Sequence, residues 1–261
     1  TVLDATFDRS AGTDGLWDSL QALERESISR VTAGDTILII SDRSATSERP
    51  PIPSLLALRM VVNALNRRGI RLNASIVLDS ADIRTTHHFA CAIGFGATAI
   101  CPYIAWAIAE RYDHRTVARL DGETRRQNYR KALENGLLKI MSKVGISSVR
   151  SYCSSKLFTP LGLRPELLGT FFPGLASPIG GLELEEIAQR VLQYSAREMQ
   201  YSITELPMTY RFQEHRRGGA GEKHVMTAAR ARTVHQLVTV EDAEERSDLH
   251  FRRALYFSAP A

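Results

Sequence analysis

The stretch Thr36-Ile37-Leu38-Ile39-Ile40-Ser41-Asp42-Arg43 decides the fold class of this 261-residue chain. Its first five residues form an unbroken apolar and β-branched run, which is typical of a strand buried on both faces of a parallel sheet. The turn residues Gly34-Asp35 stand before the run, and polar residues follow it directly. We therefore predict a short buried strand with polar side chains at its carboxyl end.

Similar strands recur along the first 110 residues, and segments with a helical spacing of apolar residues separate them. The predicted helices are Gly15–Thr32, Ser54–Arg68 and a helix that starts at Ala81 and runs through His88; the further strands are Asn73–Leu78 and Ala97–Ile100. Strands that alternate with helices in this way predict an α/β fold with a parallel sheet covered by helices.

The second half of the chain has a less regular pattern. Residues 111–130 are rich in charge, which predicts a connector with some helix. Further on we predict helices over Asn128–Val144, Lys156–Leu161, Pro165–Phe172, Leu182–Arg197, Ala228–Leu237 and Glu241–Tyr256, a strand over Ile146–Tyr152 and a loop over Arg216–Glu222. The helix over Leu182–Arg197 has the clearest pattern, because its apolar residues form one stripe.

Composition and charge exclude several classes of protein. Hydrophobic residues make up 44% of the chain and charged residues 24%, which is ordinary globular usage and excludes a disordered or fibrous protein. No run of about 18 apolar residues exists, so we expect no membrane span. The 33 basic and 29 acidic residues are interspersed, so the net charge of +4 does not indicate a nucleic-acid partner. Three cysteines without CxxC spacing favour a reducing, cytoplasmic location.

Polar residues follow each predicted strand, as Asp42-Arg43, Asp79-Ser80 and Cys101-Pro102-Tyr103. The carboxyl ends of parallel strands meet at one edge of a sheet, where α/β proteins place their binding sites. The neighbouring carboxylates Asp79 and Asp82 are compatible with acid–base chemistry. We favour the alternative that they form a strand-end turn and a helix cap, because no decisive catalytic motif surrounds them.

Four other groups of residues have both a chemical and a structural interpretation. His87-His88 are adjacent, so on a helix their rings point about 100° apart and are poorly placed to share a metal ion. Gly94-Phe95-Gly96 lies between a helix and a strand, which reverses the order of a dinucleotide fingerprint. Gly218–Gly221 lacks the Lys-Ser/Thr of a phosphate loop, and Cys153-Ser154-Ser155 lacks the surroundings of a serine nucleophile. We favour the structural interpretation of each group.

Seven segments, collinear over nearly the whole chain, resemble the large chain of glutamate synthase. They are Ile37–Arg43, Ile52–Ala57, His87–Ala90, Gly94–Ala97 with Pro102-Tyr103, Gly136–Ser147, Ser177–Gly181 and Arg216–His224. Of these, Gly136–Ser147 is similar to a signature at the start of the family's flavin-binding domain. Each motif is modest, but their common order makes the resemblance specific.

The resemblance implies a function and a division into domains. Glutamate synthases release ammonia from glutamine and use it to aminate 2-oxoglutarate at FMN, which receives electrons through an iron–sulfur cluster. Residues 1–127 would be the C-terminal half of the mainly structural central domain, and residues 128–261 an incomplete start of the FMN-binding (β/α) barrel. Met141, Ser142 and Lys143 would approach the flavin. The ligands of the cluster would lie outside this chain.

The chain departs from the family pattern at two places. Where the family has Ser-Tyr-x-Gly-Ala-Gln, this chain has Ser151–Lys156, with Ser154-Ser155 in place of Gly-Ala. Pro178 stands in place of the arginine of a Pro-Ser-Arg-Ile-Gly-Gly element, and it also removes a backbone donor. The first departure puts any contact made by that loop in doubt.

We therefore expect a mainly structural segment of a glutamate synthase that is inactive alone and binds FMN weakly or not at all. A start at Thr1 instead of methionine fits a chain that begins inside a longer polypeptide. Its partners would be the rest of that polypeptide, or separate amidotransferase and electron-donating subunits. One alternative is a non-catalytic scaffold that docks glutamate synthase-like partners through exposed apolar surface. Another is a degenerate gene product without a function.

Overall fold

Four short parallel strands form the sheet within the residues that the structure describes. A computed structural model describes residues 1–111, 120–197, 232 and 235, and the elements named here belong to one compact unit, Thr1–Tyr201. The strands are β1 (Val2–Asp4), β2 (Ile37–Ser41), β3 (Ser75–Asp79) and β4 (Ala99–Cys101), in the order β1-β2-β3-β4. The predicted α/β class with a parallel sheet is thereby confirmed, and β1 is a strand that the sequence analysis missed.

Eight α-helices accompany the sheet in the same residues. They are α1 (Gly12–Thr32), α2 (Ser54–Arg67), α3 (Thr86–Gly94), α4 (Tyr103–Arg111), α5 (Gly122–Val144), α6 (Val149–Tyr152), α7 (Pro165–Phe171) and α8 (Leu184–Arg197). The predictions for α1, α2, α7 and α8 are confirmed to within a few residues, whereas α4 was not predicted. Helix α3 begins later than predicted, because the hydroxyl of Thr85 accepts the backbone N–H of His88 and caps the helix there.

Two predictions for the segment after α5 were wrong. The predicted strand Ile146–Tyr152 is instead a turn of helix, α6, which brings Tyr152 into the core at 1% exposure. The predicted helix Lys156–Leu161 does not form, and its first residue, Lys156, has a φ of 55°, outside the right-handed helical region. The loop and helices predicted beyond residue 200 lie outside the described residues, apart from positions 232 and 235.

Helix α2 is the central helix of the fold. All its residues from Leu56 to Leu65 are buried, and it packs against α1, α3 and α7. The inward residues of the neighbouring strands, such as Leu38, Ile40 and Ile76, are at most 1% exposed. Because α2 is buried on all sides, its few polar side chains must find hydrogen-bond partners inside the protein.

Arg59 is the charged residue in the buried part of α2, and it is 1% exposed. Its Nε donates to the carbonyl of Phe171 at 2.9 Å, its Nη1 to the carbonyl of Phe95 at 3.0 Å, and its Nη2 to Oδ1 of Asn63. Asn63 in turn donates to the Phe171 carbonyl at 2.9 Å. The two carbonyls lie at the C-terminal ends of α7 and α3, where backbone acceptors lack helical partners and the helix dipole is negative.

The environment of Arg59 lowers its basicity without removing its charge. Burial, together with the positive charge of Arg71, lowers the pKa of Arg59 to about 10. That value is still well above neutral pH, so the guanidinium remains protonated. A buried cation thus joins α2 to the ends of α3 and α7.

Helix α5 crosses the domain boundary predicted at residues 127 and 128. The helix begins after Asp121, whose carboxylate accepts the backbone N–H of Thr124, and ends at Gly145, which has a φ of 76°. It packs against both α3 and α4. The predicted boundary therefore falls within a continuous helix, and the division into two domains stays a prediction.

Replacement of Arg59 by methionine tests this helix junction. In Arg59→Met the Phe95 carbonyl and the Asn63 oxygen lose their buried donor, and an unsatisfied buried group costs about 1–3 kcal/mol. We expect the free energy of unfolding, measured by urea denaturation, to fall by about 2 kcal/mol or more. Arg68→Met, at the exposed end of the same helix, is the control and should change it by less than about 0.5 kcal/mol. Equal losses in the two variants would contradict the junction.

Candidate functional site

The polar residues that follow the strands meet at the carboxyl edge of the sheet, as the sequence predicts. The register places Ser41 opposite Asp79, and Asp79 opposite Cys101. Arg43 donates from Nε to Oδ2 of Asp79 at 2.6 Å and from Nη2 to Oδ1 at 3.0 Å, which is a bidentate ion pair. The hydroxyl of Ser41 donates to the same carboxylate at 2.9 Å. Side chains thus join β2 to β3 at their ends.

The carboxylate of Asp79 stays charged although it is buried. Burial raises its pKa, but hydrogen bonds from Arg43, Cys101 and Ser41 outweigh burial and hold the pKa of Asp79 below its ordinary value. Sγ of Cys101 lies 3.6 Å from Nη2 of Arg43. Burial, and then the neighbouring Asp79, raise the pKa of the Cys101 thiol, so this sulfur is a weak nucleophile at neutral pH.

Asp42 is the second carboxylate at this edge. Its Oδ2 accepts the Ser80 hydroxyl at 2.7 Å, its two oxygens share the backbone N–H of Ala81, and its Oδ1 accepts the Tyr103 hydroxyl at 2.8 Å. Burial and the bond to Asp42 raise the pKa of Tyr103. The guanidinium carbon of Arg43 lies 4.1 Å from the centroid of the Tyr103 ring, a cation–π contact that links the two carboxylate systems.

We call these seven residues the strand-end cluster: Ser41, Asp42, Arg43, Asp79, Ser80, Cys101 and Tyr103. Both carboxylates in the cluster are buried, and each already accepts bonds from at least two side chains. A general base needs a lone pair within hydrogen-bond reach of a substrate proton. Within the cluster, donors of the protein itself bond to these carboxylate oxygens, so the arrangement offers no poised base.

The favoured structural interpretation of Asp79 and Asp82 is confirmed. Asp79 closes the strand end, whereas Oδ2 of Asp82 accepts the backbone N–H of Ser54, the first residue of α2, at 3.4 Å. Burial raises the pKa of Asp82. The helix that Asp82 caps is therefore α2, which is distant in sequence, and not the helix that follows Asp82 in the chain.

The sequence analysis missed a second group of polar residues at the end of β1. Oδ1 of Asp4 accepts the hydroxyls of Ser44 at 2.6 Å and Thr6 at 2.9 Å, and its Oδ2 accepts from Arg49 at 3.2 Å. The available signal was the short apolar pair Val2-Leu3 before Asp4, which repeats the strand-then-acid pattern of the other strands. The side chains of Asp4 and Arg49 are about half exposed, so this ion pair contributes little stability.

His87 and His88 are neighbours on α3, but their rings contact different partners. Nδ1 of His88 accepts the backbone N–H of Arg84 at 3.2 Å, whereas Nε2 of His87 lies 3.5 Å from Sγ of Cys91. Burial lowers the pKa of His88 and raises the pKa of Cys91 to about 11. Across the described residues, no group of three or more His, Cys, Asp or Glu side chains is placed to hold a metal ion.

The loop Ser151–Lys156 contacts the end of α3 through its backbone. The N–H of Ser154 donates to the carbonyl of Ile93 at 3.2 Å, and the N–H of Lys156 donates to that of Gly94 at 3.1 Å. Ser154 has a φ of 63°, in the left-handed region that favours glycine. The serine therefore introduces backbone strain where the family pattern has glycine, although the loop still caps α3.

Close packing explains why position 181, the second of the pair Gly180-Gly181, is a glycine. A Cβ on Gly181 would lie 2.3 Å from the carbonyl oxygen of Gly162, whereas one on Gly180 would meet nothing within 4 Å. The close approach lets Leu182 donate to the Gly162 carbonyl at 2.8 Å. This pairing holds the start of α8 beside the segment that leads into α7.

The residues expected to approach a flavin lie in the last turn of α5. Met141 is 2% exposed and packs with Ala90 and Tyr152, while Ser142 and Lys143 are exposed. The three side chains therefore do not line one common surface, and this geometry does not form a flavin cleft. Their contact with FMN stays a prediction.

Comparison with known proteins identifies the family of this chain. A family profile described as the glutamate synthase central domain matches residues 1–164. This chain belongs to the glutamate synthase family. The profile extends beyond the predicted boundary at residue 127 and includes the whole strand-end cluster.

Curated glutamate synthases match over most of the chain. It is 37% identical to the ferredoxin-dependent glutamate synthase 2 of Arabidopsis thaliana, over 91% of this chain and 15% of that one. It is 35% identical to the NADPH glutamate synthase large chain of Azospirillum brasilense, over 91% of this chain and 16% of that one. The chain thus spans less than a fifth of the length of these relatives.

One solved structure, a mutant flavocytochrome b2 with benzoylformate, aligns with 74% of this chain and with 40% of its own chain. The TM-score is 0.40 and the sequence identity is 14%, and this likeness is too low to support any argument.

Among the helices of the described residues, none is long and apolar enough to cross a membrane.

The lowered pKa of Asp79 predicts how stability depends on acid pH. A carboxylate with a lower pKa in the folded state contributes stability above its unfolded pKa of about 3.9, and loses it as pH falls through the folded value. We expect the free energy of unfolding of the wild type to fall more steeply below about pH 4 than that of Asp79→Asn. Denaturant unfolding at a series of pH values measures this.

The control for this series is Asp18→Asn, which changes an exposed carboxylate on α1. Its pH profile should follow that of the wild type. At neutral pH, Asp79→Asn should also unfold more easily by about 1–2 kcal/mol, since it loses charge-assisted bonds. Parallel profiles for wild type and Asp79→Asn would show that Asp79 carries no such linkage.

Proposed function

We propose that this chain is a mainly structural segment of a glutamate synthase. The whole polypeptide would make glutamate from 2-oxoglutarate and glutamine-derived ammonia by FMN-dependent reductive amination. The observation that carries the proposal is the strand-end cluster, which lies where α/β proteins place their binding sites and is satisfied by its own side chains. Carboxylates that are hydrogen-bonded in this way would stabilise the end of the sheet and would not act as a base on a substrate.

The relatives support a role that is separate from electron supply. Identity is nearly the same to a ferredoxin-dependent enzyme, 37%, and to an NADPH enzyme, 35%. A segment that contacted the electron donor would be expected to differ between these two kinds of enzyme. The similar values favour a segment that both kinds need for their architecture.

The expectation of flavin chemistry rests only on membership of the glutamate synthase family. FMN, when bound, would carry the electrons that reduce the imine formed from 2-oxoglutarate and ammonia. Because Met141 is buried and Ser142 and Lys143 are exposed, these residues do not fit a shared flavin contact. We derive no catalytic step from them, and an iron–sulfur cluster would depend on ligands elsewhere in the polypeptide.

The segment would act beside the rest of its polypeptide or beside separate amidotransferase and electron-donating subunits. A docking subunit without catalysis is the second candidate function, because apolar side chains are exposed on several helices. Ile104 and Ile108 are 39% and 46% exposed one turn apart on α4, and Leu138 is 58% exposed on α5. The three free cysteines fit a reducing compartment such as the cytoplasm.

A flavin-binding and activity assay tests the leading function. The purified chain is mixed with FMN, desalted and scanned for flavin absorbance, and then assayed for glutamate formation from 2-oxoglutarate and ammonia with a chemical reductant. We expect no retained flavin and no glutamate above the protein-free rate, because the described residues form neither a flavin cleft nor a poised base. The Azospirillum brasilense large chain is the positive control.

Stoichiometric flavin on the isolated chain would contradict the structural role. Light scattering separates the two candidates. A stable complex with an amidotransferase partner, without activity, supports the docking subunit, whereas a monomer that binds no partner disfavours it.

A further inference from the structure

A cleft of about 260 Å³ opens between α1, α7 and α8, away from the strand-end cluster. Its floor is apolar and consists of Trp17, Leu167, Phe171 and Leu184. Trp17 meets Phe171 edge to face, with ring centroids 6.5 Å apart. Phe171 and Leu167 are 1% and 4% exposed, so core packing fixes this part of the floor, whereas Trp17 is 37% exposed.

Three carboxylates, those of Glu166, Glu183 and Glu185, form the rim of this cleft. Glu183 is paired with Arg164. Glu166 and Glu185 make no ion pair within the described residues 1–111 and 120–197, and Oε1 of Glu185 accepts a hydrogen bond from Nε2 of Gln189 at 3.4 Å. Glu166 stands in the first turn of α7 and Glu185 in the first turn of α8, so both carboxylates lie on the same side of the cleft as the starts of these helices.

We propose that this cleft binds an arginine side chain presented by another polypeptide segment. Small-molecule pockets measure about 300–1,000 Å³, so this smaller cleft suits one long side chain better than a whole metabolite. The methylene stem of an arginine would pack on Leu167 and Leu184. Its guanidinium would lie against the indole of Trp17 and reach the carboxylates of Glu166 and Glu185, and the planar fork suits this geometry better than the ammonium of lysine.

The segment that presents the arginine belongs to the rest of the longer polypeptide. The chain covers only 15% of its Arabidopsis relative, so most of such a polypeptide lies outside these residues. A neighbouring domain therefore has the opportunity to cover an apolar cleft that would otherwise face water. This inference rests on the geometry of the cleft and is independent of the proposed catalytic role of the whole enzyme.

Fluorescence titration of Trp17 tests the cleft directly. The chain has two tryptophans, so Trp106→Phe leaves Trp17 as the single reporter. The probe is the peptide acetyl-Leu-Arg-Leu-amide, and the matched peptide has citrulline, which keeps the shape of arginine and removes its charge. We expect a saturable change with the arginine peptide, binding at least tenfold weaker with citrulline, and weaker binding at higher salt.

Charge variants locate the binding at the rim. The double variant Glu166→Gln with Glu185→Gln should weaken binding of the arginine peptide at least tenfold. The control, Glu26→Gln with Glu134→Gln, removes the same number of charges from α1 and α5 and should leave binding unchanged. Thermal melts of both double variants confirm that each is folded.

Four outcomes would overturn the inference. They are no binding of the arginine peptide, equal binding of the citrulline peptide, equal loss in the two double variants, and binding of free arginine amide as tight as that of the peptide. The last outcome would make the cleft a small-molecule site.

Discussion

A guanidinium buried in the middle of an apolar helix is the interaction on which the arrangement of this segment depends. Arg59 has no carboxylate partner among the described residues, so backbone carbonyls and an amide oxygen must satisfy it. The carbonyls come from the ends of α3 and α7, which fixes both helices against α2. Because α3 leads into β4 and α7 forms one wall of the cleft, the position of this one side chain affects both the strand-end cluster and the cleft.

The strand-end cluster follows from the parallel register. Strands β2, β3 and β4 all end at the same edge, so the register alone brings together the polar residues that end or follow these strands. In many α/β proteins that edge receives a ligand. Here Asp42 and Asp79 are already bonded to Tyr103 and Arg43, and the ring of Tyr103 lies under the guanidinium of Arg43. Side chains from the segments that follow β2 and β4 therefore satisfy the two carboxylates at this edge.

The sequence predicted the elements whose pattern is long or strongly apolar. The strand β2 and the helices α2 and α8 are within two residues of their predicted bounds, because their periodicity leaves little choice. By contrast, β1 has three residues and α4 follows a proline at a strand end, so neither offered a pattern long enough to interpret.

The parts that the sequence did not predict depend on distant contacts. Tyr152 draws its segment into helix α6 because it packs against α3 and α5, and a local pattern cannot contain that information. The hydrogen bond from Arg59 in α2 to the carbonyl of Phe171 joins residues more than 100 positions apart in the sequence. A signal was nevertheless present, since Arg59 is the single charged residue between Leu55 and Leu65. Charge in a helix that is apolar on all sides indicates a buried polar junction.

We propose that the strand-end cluster stabilises the sheet and binds no ligand. Thermal unfolding of the chain in the presence of 2-oxoglutarate and, separately, of glutamine tests it most directly, because a ligand that binds the folded state raises Tm with its concentration. The account predicts that neither compound changes Tm, in the wild type or in Asp42→Asn. A rise in Tm with ligand concentration that disappears in Asp42→Asn would contradict it.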